Sequence, residues 1–436
     1  MEANKVKEIL GRHILADGYD IVMDFEKSHG STIVDKITGN EILDMFSMFA
    51  SSAVGYNHPY IVDHEAWLGK FATFKPTISD IYFEEYAEFM EVFERVIIPK
   101  ELSYCFFIDG GALAVENALK AAFDWKTRKN WLKGSKDEGS QVIHFEQAFH
   151  GRSGYTLSLT NTADPRKYQY FPKFDWPRIV NPKLQFPTTE ENLKTTIAVE
   201  EKAIAQINEA LNQHGDKVAC IIIEPIQCEG GDNHFRTEFL QQLRAICDEN
   251  EILLIFDEVQ VGMGITGKMF AYQLLGVTPD IICFGKKTQV CGILASKEKL
   301  DEVEHHVFKE SSRINSTFGG NFIDYLRLKL ILEIIEKDNL IENVNQQGEI
   351  LLAGIKELQN KFPNKVSNAR GKGLLCAFDL PTPELRDKVV GDLIKDEQVL
   401  ILSSGTQSIR FRPQLVVTAE EIKLALEAIE RVISKL

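Results

Sequence analysis

The sequence predicts an α/β fold, with helices covering a mostly parallel sheet and a smaller α+β domain attached. Three observations carry this expectation. Between about residues 100 and 330, short apolar runs alternate with amphipathic stretches of helical period. The runs are nearly continuous in apolar residues, as strands buried on both faces of a parallel sheet should be. Beyond about residue 330 this alternation gives way to helices grouped around a few short strands.

Taken in chain order, residues 1–70 contain IVDKITGNEILDM, two apolar runs around turn residues, which read as a hairpin joining the smaller domain. The large domain, 71–330, holds the expected strands SYCFFIDG, SQVIHFEQ, KVACIIIEP, EILLIFDEV and PDIICFG, with helices including 114–127 and 237–250. In the smaller domain, 331–436, helices near 320–336 (running in from the large domain), 340–360 and 383–396 surround KGLLCAFDL, VLILSSG and SIRFRP. The last helix opens with a capping box, Thr418 to Glu421. Its apolar residues Ile422, Ala425, Leu426, Ile429, Val432, Ile433 and Leu436 recur at helical spacing.

At 436 residues the chain can hold roughly two or three domains. Its 64 acidic and 49 basic residues give a net charge of -15, spread without a basic face. Such a surface repels phosphodiester backbones, so small molecules, not nucleic acid, are the expected partners. The N-terminal MEANKVKEILGRHIL lacks an apolar signal core, and no apolar run approaches the roughly 18 residues of a membrane span. A cytoplasmic protein without membrane association is expected, and Asn315-Ser316-Thr317 should therefore carry no glycan. Seven widely spaced cysteines without C-x-x-C read as reduced thiols and not as a metal framework. His305 and His306, taken as neighbours on a helix, would point in different directions and are expected at the surface, binding no metal.

Residues 256–269, FDEVQVGMGITGKM, raise the question of a nucleotide site. Gly262, Gly264 and Gly267 satisfy G-x-G-x-x-G, and the stretch misses a P-loop only at Met269, where a hydroxyl should bind magnesium. A dinucleotide fingerprint places its first glycine directly after the strand. Here Asp257 and Glu258 intervene and would face an anion. An NAD-dependent oxidoreductase built on GMGITG stays as the alternative from a different class. Asp257 itself can cap the next turn or pair with a cationic ligand group at the carboxyl end of its strand.

The following strand ends in Lys286 and Lys287, one strand-helix-strand unit further on, so acid and lysine reach one rim. A desolvated lysine there can lose its proton and attack a carbonyl. An acid that keeps a pyridinium protonated, beside a lysine able to form an imine, is the pair that pyridoxal phosphate chemistry requires.

Seven motifs, FDEVQ (256–260), the lysine of FGKK, GGALAVENALK (110–120), FHGR (149–152), EPIQCEGG (224–231), NSTFGGN (315–321) and RFRPQL (410–415), together resemble the class III (omega) aminotransferases. Those enzymes have the pyridoxal phosphate fold type I. FHGRSGYTLSLTNT, FPKFDWPRI and FGKKTQVCG are most similar to family members acting on the side-chain amine of lysine. The resemblance implies that Asp257 pairs with the pyridine nitrogen, Gln260 lies near the ring hydroxyl, Phe149 stacks on the ring, and Lys286 forms the imine. Gly111 and Ala112 would hold the phosphate by backbone N–H groups, since Gly110 and Ala112 replace the family's hydroxyl residues. Thr317 would reach the phosphate of a second subunit, implying a homodimer with shared sites. The glycine-rich run usual after the lysine is replaced by KTQVCG.

The same resemblance implies transfer of an amino group from L-lysine to 2-oxoglutarate, giving glutamate, with ornithine or another omega-amine donor as the alternative. Glu229 would mask Arg410 while lysine binds by its far end, its carboxylate on Arg152. When 2-oxoglutarate or glutamate enters, Glu229 would release Arg410 to the α-carboxylate. Asn315 is a further expected substrate contact.

Overall fold

The computed structural model describes residues 1–75 and 80–436. In chain order its strands are β1 (Thr32–Val34), β2 (Glu41–Asp44), β3 (Tyr104–Ile108), β4 (Gln141–Phe145), β5 (Arg178–Ile179), β6 (Val218–Ile223), β7 (Ile226–Gln227) and β8 (Asn233–His234), followed by β9 (Leu253–Asp257), β10 (Ile281–Phe284), β11 (Cys291–Ala295), β12 (Ser367–Lys372), β13 (Leu375–Asp379), β14 (Val399–Leu400), β15 (Leu402–Ser404) and β16 (Ser408–Phe411). The main sheet has the order β3-β11-β10-β9-β6-β4-β5, and only β11 runs antiparallel to its neighbours. This is the mostly parallel α/β sheet that the apolar runs predict.

The central strands β6, β9 and β10 are buried at every residue, which explains their unbroken apolar sequences. Each fully buried Ile, Leu or Phe contributes about 1.5–3 kcal/mol. On one face lies the helix Gly111–Leu132, whose buried Ala114, Ala118, Ala121 and Ala122 bring its axis close to the strands. Below β10, Phe284 meets Phe93 and Phe107, while Tyr325 packs on Phe89 and Phe107, joining the helices Glu84–Val96 and Phe322–Lys337 to the sheet.

The sequence reading missed β5 and β11. β5 has two residues, too few for a pattern, and β11 follows β10 after a turn with no crossover helix to announce it. The N-terminal hairpin β1-β2 pairs in register Ile33 with Ile42, and β14 adds in parallel beside β2. A separate antiparallel sheet, β12-β13-β16-β15, carries Arg410.

The glycine stretch is a packing seam and not a phosphate loop. Gly264 and Gly267 have φ of +88° and +89°, and they face Ile341 and Asn345 of the helix Leu340–Lys361. The Ile265 carbonyl accepts the Leu374 N–H at 2.9 Å. Glu258 caps the helix Ala271–Leu275, accepting the N–H groups of Ala271 and Tyr272 at 2.5 and 2.8 Å. The glycines thus provide close approach between the segment after β9 and the helix Leu340–Lys361, which removes the basis for a nicotinamide site there.

A Cβ on Gly373, with φ +54°, would lie 2.5 Å from the Ile265 carbonyl oxygen across this seam, whereas one on Gly276, with φ +67°, would meet nothing within 4 Å. Gly276→Ala is therefore expected to cost about 1 kcal/mol for its backbone alone. Gly373→Ala should cost about 1–2 kcal/mol more through overpacking against backbone that cannot move aside. Equal costs in chemical denaturation would mean that the seam is loose.

Candidate active site

A cavity of about 650 Å³ opens at the carboxyl ends of β9 and β10. It brings together seven of the residues singled out from the sequence: Gly111, Ala112, Phe149, Arg152, Asp257, Gln260 and Lys286. Asp257 ends β9 opposite Cys283 of β10, and the chain continues three residues beyond Cys283 to Lys286. Parallel pairing is what places acid and lysine on one rim.

Asp257 is buried. Its Oδ2 lies 2.8 Å from His150 Nδ1, and its Oδ1 accepts the Val259 N–H at 3.1 Å. A carboxylate only accepts, so the shared proton sits on Nδ1. His150 Nε2 is buried without a partner. Beside this pair, Glu224 accepts the Phe149 and Cys228 N–H groups at 2.8 and 3.2 Å, fixing the loop that carries Phe149. Burial pushes the Glu224 carboxyl up to about 7, with His150 acting against the rise and Asp257 adding to it.

Lys286 opens a short turn, Lys286–Thr288, and its Nζ donates to the Phe49 carbonyl at 3.2 Å. Burial and then the charge of Arg410 bring its amine down to about 8. Lys287 does not line the cavity; it is buried and donates to the Ala50 carbonyl at 3.0 Å. Burial holds it far below the ordinary lysine range. KTQVCG leads directly into β11, with Gln289 donating to the Ser51 carbonyl at 3.0 Å.

At the opposite wall the helix Gly111–Leu132 begins behind Gly110, which has φ +96° and no side-chain cap. Its first-turn N–H groups are left to a ligand, the arrangement that favours an anion. A Cβ on Gly111 would crowd Val259 Cγ1 at 3.0 Å.

Glu229 and Arg410 do not line the cavity themselves but join it through Gln260. Arg410 Nη2 donates to Glu229 Oε2 at 2.8 Å, and Nη1 to Gln260 Oε1 at 3.1 Å. Lys167 Nζ donates to Glu229 Oε1 at 2.6 Å. Burial alone would raise the Glu229 carboxyl, but Arg410 and Lys167 outweigh it and hold the group below its ordinary value. Gln260 Oε1 also accepts from Arg412 Nε at 3.2 Å, and Arg412 forms a fully buried pair with Asp232.

Arg152 is exposed at the cavity and has no hydrogen bond or ion pair among the described residues. Asn315 and Thr317 are exposed and lie outside the lining. His306 requires a correction. Neither it nor His305 is on a helix, and although His305 is exposed, His306 is buried with Nε2 2.8 Å from Asp301 Oδ1. The aromatic rings of Tyr104 and Phe308 cover it, and the carboxylate satisfies its polar edge. Among the described residues no His, Cys, Asp or Glu cluster could hold a metal ion, and no helix is long and apolar enough to cross a membrane.

The sequence reading missed His150, Glu224, Lys167 and the Asp232–Arg412 pair. His150 and Glu224 were legible as polar members of FHGR and EPIQCEGG. Lys167 lies in a loop without pattern, and Asp232 and Arg412 are 180 positions apart.

An uncapped helix N-terminus, a buried acid and a lysine of lowered basicity on one sheet rim fit the phosphate, ring nitrogen and aldehyde of pyridoxal phosphate. Fold and site together define a pyridoxal phosphate-dependent transferase of fold type I. The family profile "Aminotransferase class-III" matches residues 14–433. The chain belongs to the class III aminotransferases, which depend on pyridoxal phosphate. It is 48% identical over 431 residues to an L-lysine-epsilon aminotransferase of Amycolatopsis lactamdurans, covering 98% of this chain and 95% of that one. It is 50% identical over 430 residues to the protein of that name in Mycobacterium tuberculosis, covering 98% and 94%. The solved lysine aminotransferase of M. tuberculosis superposes with a TM-score of 0.97 over the whole of both chains, at 48% identity. More distantly, the mitochondrial 4-aminobutyrate aminotransferase of Sus scrofa is 30% identical over 423 residues, covering 92% and 82%.

With its amine held near 8, Lys286 should capture pyridoxal phosphate in its neutral form. The uptake rate of cofactor-free protein, followed by visible absorbance, is expected to rise with pH around a midpoint near 8. A midpoint near the ordinary lysine value of about 10.4 would contradict the desolvated placement.

Proposed function

We propose that the chain is an L-lysine 6-aminotransferase. It transfers the ε-amino group of L-lysine to 2-oxoglutarate in ping-pong fashion, giving glutamate and 2-aminoadipate 6-semialdehyde, which cyclises. The observation that carries the choice of an omega amine is the Glu229–Arg410 pair at 2.8 Å. With its arginine engaged, the site offers no fixed cation for a carboxylate beside the reacting carbon. The likeness to proteins named for lysine selects the donor.

Pyridoxal phosphate, when bound, supplies the carbonyl that takes the amine and the ring that disperses the electron pair left on carbon. Asp257, positioned by His150, would hold the proton on the ring nitrogen. Gly111 and Ala112 would hold the phosphate by their N–H groups, Phe149 would cover a ring face, and Gln260 would sit by the ring hydroxyl. Lys286 Nζ takes the proton from the ε-carbon of the substrate and later returns one to the α-carbon of the keto acid. Arg152, without a hydrogen bond or ion pair among the described residues, binds the distant carboxylate of either substrate. When the keto acid enters, Glu229 moves off Arg410, and Arg410 takes the α-carboxylate.

The same reading includes a cytoplasmic homodimer. The exposure of Asn315 and Thr317, away from their own cavity, suits residues that serve a second copy.

Lysine labelled with heavy nitrogen on its side-chain amine, incubated with holoenzyme and 2-oxoglutarate, is expected to give labelled glutamate by mass analysis. Unlabelled glutamate would mean α transfer, and no glutamate would direct attention to ornithine or another amine. Lys286→Ala should abolish the substrate-driven absorbance change while Lys287→Ala retains it; the reverse result would reassign the nucleophile. Glu229→Ala is expected to weaken discrimination against α-amino donors by about tenfold or more, the value of a lost charge-assisted contact. Unchanged preference would sink the masking role.

A further inference from the structure

We propose that Lys167 is a specificity-determining residue, a second cation that receives Glu229 when Arg410 is given over to the keto acid. The proposal rests on the lysine and 2-oxoglutarate reading above and adds to it the partner that Glu229 keeps in the opened state.

The two oxygens of Glu229 are divided between two cations: Oε2 lies 2.8 Å from Arg410 Nη2, and Oε1 lies 2.6 Å from Lys167 Nζ. Exposed ion pairs contribute little. Here the Glu229 and Lys167 side chains are only 25% and 27% exposed, so the contact is largely shielded from water. Arg410, at 2% exposure, is the inner partner and Lys167 the outer one.

Lys167 comes from a different kind of element than Arg410. Arg410 sits in β16, held between β13 and β15. Lys167 ends the short turn Pro165–Lys167, capped by Asp164, which accepts the Arg166 N–H at 3.1 Å and binds the Arg166 side chain at 2.8 Å. That neighbour is 80% exposed and occupied by Asp164, leaving Lys167 as the cation of this turn that pairs with Glu229. A cation on a loop can follow a moving carboxylate; one fixed in a strand cannot.

Counting charges gives the direction of the effect. With Glu229 on Arg410, two cations share one carboxylate and the group is net positive. With a carboxylate of the keto acid on Arg410 and Glu229 on Lys167, the same groups form two neutral pairs. Without Lys167 the first arrangement is already neutral, and the second strands Glu229 in a mostly buried place with no counter-charge, which is costly. Lys167 therefore favours the dicarboxylate half of the cycle over the lysine half.

The test uses holoenzyme with Lys167→Met, of similar length without charge, and Lys167→Arg, which keeps it. Single-turnover measurements follow each half-reaction separately, and titration with glutarate, a dicarboxylate that lacks the keto group, measures binding without turnover. Lys167→Met is expected to shift the ratio of the two half-reaction specificity constants about tenfold against 2-oxoglutarate, the scale of one charge-assisted contact. The change should fall on KM, glutarate binding should weaken in parallel, and Lys167→Arg should restore both. Equal losses in both half-reactions, unchanged glutarate binding, or failure of Lys167→Arg to rescue would overturn the role of Lys167 while leaving the lysine reading intact. Wild-type enzyme that moves no nitrogen from the lysine side chain to 2-oxoglutarate would overturn the underlying reading and this proposal with it.

Discussion

The ion pair between Asp232 and Arg412, with neither side chain exposed, ties the loop that carries Glu229 to the strand end that carries Arg410. Burial alone would lower the basicity of Arg412, but Asp232 overrides it and keeps the guanidinium firmly charged. Removing one member of such a pair leaves a buried charge unpaired and costs about 3–5 kcal/mol. The remaining bonds of the pair explain its reach. Arg412 donates from its backbone to Met45 and from Nε to Gln260, while Arg370 donates to the carbonyls of Gly231 and Asp232. Glu229 lies three residues before Asp232, and Arg410 two residues before Arg412, so the buried pair links the two segments from which Glu229 and Arg410 meet.

The N-terminal segment closes the other side. Ser47, Met48, Phe49 and Ala50 all have φ between 46° and 66°, a left-handed turn without glycine, a conformation that costs about 1–2 kcal/mol per residue. Asp44 steadies its start by accepting the Phe46 and Ser47 N–H groups at 2.8 Å each. Lys286, Lys287 and Gln289 then donate to the successive carbonyls of Phe49, Ala50 and Ser51. The adjacent lysines divide their work by burial: Lys287 anchors this turn from outside the cavity, and Lys286 lines it.

What could be read from the sequence follows from which interactions are local. Strand burial, helical period and the Thr418 capping box are properties of neighbouring residues, and the central strands and the last helix stand where those patterns put them. The link from Asp257 to Lys286 was also accessible, because a strand-helix-strand unit converts a sequence interval into adjacency. The antiparallel β11 was hidden because its connection to β10 is a turn with no helical signature. The buried pair was hidden for a different reason: its partners are 180 positions apart and neither residue type signals burial. His306 misled because adjacency suggested a surface helix, whereas an acid five residues earlier and two aromatic rings give it a buried place. Gly262, Gly264 and Gly267 satisfied a ligand motif while answering a packing need, since positive φ and close approach demand glycine in either setting.

One physical problem unites the cations of the site with the lysines beneath them. A lysine side chain is ordinarily protonated up to a pH of about 10.4, yet only the neutral amine can attack a carbonyl. Burial comes first, and the nearby arginines then push these amines further toward neutrality: Arg410 and Arg412 both lower Lys286, and Arg412 lowers Lys287. Glu229 opposes that field while it pairs with Arg410, so the balance among one carboxylate and its surrounding cations sets how readily Lys286 sheds its proton. Within a chain of net charge -15, burial and two neighbouring arginines together favour the neutral amine at Lys286.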